Sequence, residues 1–293
     1  MNLFIKLAIS GLALGSIYSL ISIGYGLIYK SSGLMSFAQG DILTLGAFVG
    51  LFFFKDLGLP WIVAVLLTMV VMFFFGILLE KGIIRKLLNK NVSAIYIVLA
   101  TIALSSIMQN GMQIVFGTVP KAFPSIFSTP VLDVFGAPVQ KEMILCFGAG
   151  LILMVLLHLF MNKTSFGTAM RAASMDPMAA ESCGINVSWT TGVTWGLSAG
   201  IAAIGGIFLG PMYGVYVVLG ANIARKGFAG AVIGGYGNMY GAMVGGLLLG
   251  VVETLLAGYV STELKNLLAY TILILFLFLK PTGIFNERAI QDV

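Results

Sequence analysis

Charge is what this 293-residue sequence has least of: Asp, Glu, Lys and Arg make up 9% of it, against about 25% in soluble domains. That scarcity excludes an ordinary water-soluble fold. The ten-residue alternating strands of an outer-membrane barrel are missing as well. No Gly-Lys dipeptide occurs, so the chain has no Walker A loop to cradle nucleotide phosphates. The two cysteines fall in different settings, Cys146 in an apolar run and Cys183 in a polar stretch, and no disulfide is expected. The net charge of +5 is spread over separate loops rather than gathered into a patch, which gives no footing for nucleic acid.

What is present is apolar, 59% of the chain, in long uncharged runs over 7–29, 57–79, 91–120, 143–162, 182–224 and 227–252. A hydrocarbon core takes about 20 apolar residues per helix, so each run is long enough to span. The first, Leu7 to Tyr29, is too long for a signal-peptide core and lacks a small-residue cleavage site, and it reads as a retained span. These runs predict an all-α, polytopic transmembrane helix bundle of about 8–10 spans, broken or re-entrant helices included, in a single domain over 1–293.

Lys and Arg mark cytosolic loops. The richest stretch, Glu80–Lys90, carries Lys81, Arg85, Lys86 and Lys90 and reads as a short basic helix on the inner surface. Pro120, Pro124, Pro130 and Pro138 then suit an irregular external segment, and the return through 143–162 places 163–186 inside. Gly210-Pro211 is expected to interrupt the run 182–224, and Gly234–Asn238 the run after it. Gln39-Gly40-Asp41 breaks the apolar run 31–54, which predicts a broken helix inside the bundle. Gly46–Gly50 and Gly241–Gly245 echo each other after the two breaks, as in an internal repeat. Arg225-Lys226 is a misfit, because this topology puts both charges near the outer side.

Glycine recurs at four-residue spacing in Gly192, Gly196, Gly200, then Gly237, Gly241, Gly245, then Gly246, Gly250. Such stripes let helix backbones approach and identify no substrate. In the loop 163–186, Asp176 is a good N-cap, Pro177 suits the first helical position and Gly184 suits a left-handed stop. Together they bracket a cytosolic helix over 177–183, too short to stand alone. Within the spans, Gln39 and Asp41 lead the polar candidates for a translocation pathway, followed by Thr101, Ser105, Gln109 and Asn110. Thr101, Ser105 and Gln109 fall four apart and share a helix face. Interhelical hydrogen bonding is the plainer reading of each. Glu253 reads as lying near a span end and His158 near the inner surface.

The loop, with Arg171-Ala172, Asp176-Pro177, Ala179-Ala180, Glu181 and Gly184-Ile185, resembles the cytosolic coupling loop of ABC-importer permeases of the branched-chain amino acid type. The likeness extends to Gly33–Asp41, Ala231–Gly237 and Lys280–Gly283, and so over nearly the whole chain. It implies a multi-pass protein of the bacterial inner membrane that works with a second homologous permease, two cytosolic ATP-binding subunits and an extracytoplasmic solute-binding protein. ATP and Mg would be used by those partners, with no cofactor in this chain. On this resemblance Arg171, Ala172, Asp176, Pro177, Ala179, Ala180, Glu181 and Gly184 couple to the ATPase. The solute is a branched-chain amino acid or a related small polar solute, urea and short amides among the alternatives. Two rival classes arise from the residues: an ion-coupled secondary transporter, prompted by Asp41 at a broken helix, and an intramembrane hydrolase, prompted by Gly196-Leu197-Ser198-Ala199-Gly200. The hydrolase pattern lies inside a run of helix-packing glycines rather than at a strand-to-helix turn.

Overall fold

The computed structural model describes residues 2–33, 35–88, 90, 92–125, 127, 131–134, 137–280 and 282–285. Leu34, Pro130 and Pro281, which belong to expectations above, lie outside the described residues. In chain order the elements are α1 (Asn2–Ser32), α2 (Gln39–Leu51), α3 (Trp61–Leu79), α4 (Arg85–Leu88), α5 (Ala94–Phe116), β1 (Val131–Val134), β2 (Ala137–Gln140), α6 (Lys141–Lys163), α7 (Ser165–Met175), α8 (Pro177–Ser182), α9 (Val187–Tyr213), α10 (Leu219–Gly234), α11 (Met239–Tyr259) and α12 (Lys265–Leu279). Six helices are long and apolar enough to cross a membrane. The shorter α2, α10 and α12 bring the described total to nine, within the expected range of about 8–10. The protein is a polytopic helical membrane protein.

Several boundaries differ from the sequence reading. The break falls ahead of Gln39-Gly40-Asp41, where Gly33 turns out of α1 at φ +65. Gln39–Asp41 themselves form the first turn of α2, with the Asp41 and Ile42 amides bonded to the Ala38 carbonyl at 3.1 and 3.0 Å. The stretch 80–88 is no surface helix. It continues α3 through a π-helical turn, Glu80–Ile84, and sets Ile84 in a core with Ile28, Ile97 and Trp195. Pro211 does not interrupt its helix either. It stands within a turn of the end of α9, where a missing N–H removes one ladder bond, and the chain leaves the helix at Gly214, φ +72. The external segment contains a small antiparallel hairpin, with Val131 opposite Gln140 and Val134 opposite Ala137.

The chain is organised in two compact units. The first comprises 1–26, 125–152 and 223–293. Here α1 and α11 meet backbone to backbone: a Cβ added at Gly250 would stand 2.3 Å from the Gly15 Cα, and one at Gly246 2.5 Å from the Ser19 Cα. The Gly246, Gly250 stripe is therefore a packing seam, bought by small residues that lipid cannot replace. Gly241 and Gly245 face α10, whereas Gly237 belongs to the turn between the helices, at φ +99. The unit also buries Glu253, which is 3% exposed. The Tyr18 hydroxyl donates to its Oε2 at 3.0 Å, and the Lys226 ammonium pairs with its Oε1. The pairing gives Lys226, a misfit by charge distribution alone, a buried counter-charge.

The second unit comprises 27–124 and 153–222, with α9 at its centre. In the most apolar stretch of α9, 94% of the residues are buried, as expected of a helix that is small and apolar all round. Its Gly192, Gly196 and Gly200 stripe faces α3, and Gly206 lies so near α2 that an added Cβ would be 2.3 Å from the Leu43 carbonyl oxygen. α3 and α9 run antiparallel. The Trp61 and Phe208 rings meet at 6.0 Å at one end, Gly76 lies against Trp195 in the middle, and Arg85 bonds Ser188 at the other. The basic stretch 81–90 and the loop 163–186 therefore share one end of this unit, the cytosolic end by the distribution of Lys and Arg.

Candidate functional site

Two sets of residues in the second unit stand out. The first is polar and at membrane depth. At the start of α2, Asp41 is 1% exposed and Gln39 fully buried. A carboxylate in the first helical turn is favoured by the macrodipole and by the free amides there. Side chains complete the setting: Gln109 Nε2 donates to Asp41 Oδ1 at 2.9 Å, and Ser105 Oγ donates to Oδ2. Thr101 Oγ1 accepts from the Phe37 amide at 3.1 Å. The predicted face Thr101, Ser105, Gln109 is thus brought against the broken segment and the first turn of α2. Asn110 turns away and donates to the Ser106 carbonyl at 2.7 Å.

On the other side of α2, Gln39 Nε2 donates to Ser198 Oγ at 2.9 Å and to the Ser198 carbonyl at 3.2 Å. Its Oε1 and the Ser36 hydroxyl are buried without a hydrogen-bond partner among the described residues. Buried polar atoms are rarely left so, and here they line the segment between α1 and α2. Ser198 is mid-helix in α9 and held by Gln39, so the Gly-x-Ser-x-Gly pattern has none of the strand-to-helix geometry a nucleophile elbow requires.

The second set is the loop 163–186. Thr164 caps α7 through the Gly167 amide at 3.0 Å, Asp176 caps α8 through the Ala179 amide at 3.0 Å, and Asn186 caps α9 through the Trp189 amide at 2.9 Å. Pro177 occupies the first position of α8, and Gly184, at φ +81, closes it while the Ile185 amide reaches the Ala180 carbonyl at 3.0 Å. Three caps within about two dozen residues fix the path of a chain whose helices are individually too short to persist. Asp176, Pro177, Ala179, Glu181 and Gly184 are exposed, whereas Ala172 is half-buried and Ala180 buried. Arg171 turns back, donating to Asn162 Oδ1 at 2.9 Å, and so ties α7 to the end of α6.

Sequence reasoning missed α7 and the most prominent apolar side chains of the loop, Met175 and Met178, which are 71% and 81% exposed on either side of the Asp176 cap. The apolar-polar spacing of 165–175 was the available signal. It also missed the clasp in which Arg85 bonds Glu80 at 2.6 Å and Ser188, tying α4 to the first turn of α9. Among the described residues there is no cluster of three or more His, Cys, Asp or Glu side chains that could hold a metal.

The profile of the family described as "Branched-chain amino acid transport system / permease component" matches residues 7–277. The chain is 30% identical over 303 residues to the high-affinity branched-chain amino acid transport system permease protein LivH of Escherichia coli (strain K12), with 99% of this chain and 98% of that one covered. The corresponding BraD protein of Pseudomonas aeruginosa is 30% identical over the same coverage. The probable branched-chain amino acid transport permease protein LivH of Methanocaldococcus jannaschii is 27% identical over 90% of this chain and 87% of its own. Among solved structures, PsaBC from Streptococcus pneumoniae in complex with Fab superposes at a TM-score of 0.50 over 93% of this chain and 91% of that chain. At 12% identity this shows a shared fold alone.

Proposed function

The chain belongs to the family of branched-chain amino acid transport permeases, matched over residues 7–277, and from that premise we propose that it is the membrane-spanning subunit of an ATP-driven ABC importer for branched-chain amino acids. It is a multi-pass protein of the cytoplasmic membrane with a transport rather than an enzymatic role. In this reading a solute-binding protein delivers the amino acid outside. A second permease completes the passage, and two cytosolic subunits bind ATP and Mg and supply the energy.

The observation that carries the reading is α8, a two-turn helix capped by Asp176 that holds Pro177, Met178, Ala179 and Glu181 exposed at the basic end of the second unit. Such a helix suits a groove on a partner. Met178 and Met175 supply the apolar contact, and Ala180 and Arg171 hold the mount. Closure of the ATPases would push α8, and Asn186 joins that push to α9. A rod of 27 residues is about 40 Å long and, buried along its length, moves as one body. Its motion would shift Ser198 against Gln39 and so disturb the polar set around Asp41, through which the zwitterion would pass.

Uptake of labelled leucine by cells carrying the complete transporter tests the proposal. Uptake should fall with ATP depletion while the ion gradient is held. Uptake that survives ATP depletion and collapses with the gradient would overturn it.

A further inference from the structure

At the end of the second unit opposite the loop 163–186 lies a cavity of about 260 Å³. Its walls combine Phe48 and Leu51 of α2, Lys55 and Asp56 from the π-helical turn that prolongs α2, Phe116 at the end of α5, and Lys121. We propose that this cavity is a loading site for a zwitterionic amino acid with an aliphatic side chain, the first place the solute rests in the permease. The inference rests on the function proposed above and adds the site and its selectivity.

The volume falls just under the roughly 300 Å³ at which pockets for drug-sized ligands begin, which suits a single small solute. Its chemistry is divided as a zwitterion requires. Lys55 and Lys121 offer ammonium groups to a carboxylate, Asp56 a carboxylate to an ammonium group, and the phenylalanines an apolar wall to an alkyl chain. Lys121 is positioned rather than loose: its amide donates to the Val215 carbonyl at 2.8 Å, its carbonyl accepts from the Val215 amide at 2.9 Å, and its ammonium lies 5.6 Å over the Phe116 ring. Lys55 and Asp56 owe their direction to the π-helical turn, a geometry that re-aims side chains and recurs at functional sites.

The floor points the same way. The Phe48 and Phe116 rings stack at 4.5 Å and 7°, leaving no gap between them. Seven residues further along the same two helices, Asp41 and Gln109 are joined at 2.9 Å. Seven residues of helix rise about 10 Å. The two pairs are thus successive rungs between α2 and α5, an aromatic one under the cavity and a polar one beyond it. A solute in the cavity rests on the aromatic rung and must part it to reach Asp41. An acidic or amide side chain would find no donor on that floor, so leucine, isoleucine and valine are favoured over glutamate and glutamine.

Saturation-transfer NMR on the full chain in lipid nanodiscs, with leucine as the probe, tests this. Transfer to the leucine methyl protons is expected, with isoleucine and valine competing and glutamate failing to. Loss of a charge-assisted hydrogen bond in Lys121→Ala or Asp56→Asn should weaken leucine by about tenfold or more. Lys121→Arg should retain it, and unchanged melting temperatures would show that the variants fold. Equal signals in wild type and both charge variants would overturn the site. So would an absent signal with wild type when the assembled transporter still takes up leucine, which would leave the cavity as a seat for the binding protein. Absence of ATP-dependent leucine uptake is a different failure. It would sink the transport reading, whereas leucine binding that still depended on Lys121 and Asp56 would leave the site standing.

Discussion

Glu253 and Lys226 make a sharp test of what holds the first unit together. Their side chains are 4% and 12% exposed, so neither charge has much water to fall back on. Removing one member of a buried pair costs about 3–5 kcal/mol, because the other stays buried and unpaired. Glu253→Leu should fall at the low end, about 3 kcal/mol, since Lys226 keeps some solvent and lies 5.7 Å over the Tyr18 ring, a contact worth about 0.5–1 kcal/mol. Lys226→Met should cost at least as much, because among the described residues Glu253 would keep the Tyr18 hydroxyl, at 3.0 Å, as its one side-chain hydrogen-bond partner. The double variant removes both charges and should be more stable than either single one, with a coupling of at least about 2 kcal/mol. Unfolding of the purified protein in mixed detergent micelles, titrated with SDS, measures all four corners of the cycle. A double variant that lost the sum of the two single effects would refute the reasoning, as would single effects under about 1 kcal/mol.

Four further outcomes follow from the packing, the caps and the polar set. Gly206→Ala would press a methyl to 2.3 Å from the Leu43 carbonyl oxygen and should cost about 1–3 kcal/mol, whereas Gly148→Ala meets nothing within 4 Å and should be neutral or slightly stabilising in the same titration. Ser198→Ala removes one of the two acceptors of Gln39 and should cost about 1 kcal/mol while transport persists; abolished transport by a well-folded variant would revive a nucleophilic role for Ser198. Gly184→Val forces a β-branched residue to φ +81, a strain of about 1–2 kcal/mol, and should reduce co-purification of the ATPase subunits while the chain still reaches the membrane. Asp41→Asn turns an acceptor of two hydrogen bonds into a group with one competing donor, and should lower the maximal rate of leucine uptake more than the melting temperature.

Much of the candidate site could be read from residue types. The cap at Asp176 acts locally, accepting from an amide three residues on, so spacing alone locates the start of α8. The shared face of Thr101, Ser105 and Gln109 follows from the helical period. Its target does not. That these side chains meet Phe37 and Asp41, more than sixty residues away, depends on how α5 lies against α2. The same limit explains the misplaced break at Gln39-Gly40-Asp41. Polar residues near a gap mark an interruption, but whether they sit in it or cap the helix after it is decided by hydrogen bonds to neighbours distant in sequence.

Scarcity of charge, long apolar runs and a capped short helix follow from the sequence alone, and the first two determine a polytopic membrane protein. Those properties depend on composition and on neighbours within one helical turn. Only the tertiary structure decided that Lys226 is neutralised by Glu253, that Gln39 binds Ser198, and that Phe48 and Phe116 close the floor of a charged cavity. Each of these pairs joins residues from different helices, at separations of 27, 159 and 68 positions. The side-chain pattern of one helix fixes which face is polar, and the crossing of two helices fixes what that face meets.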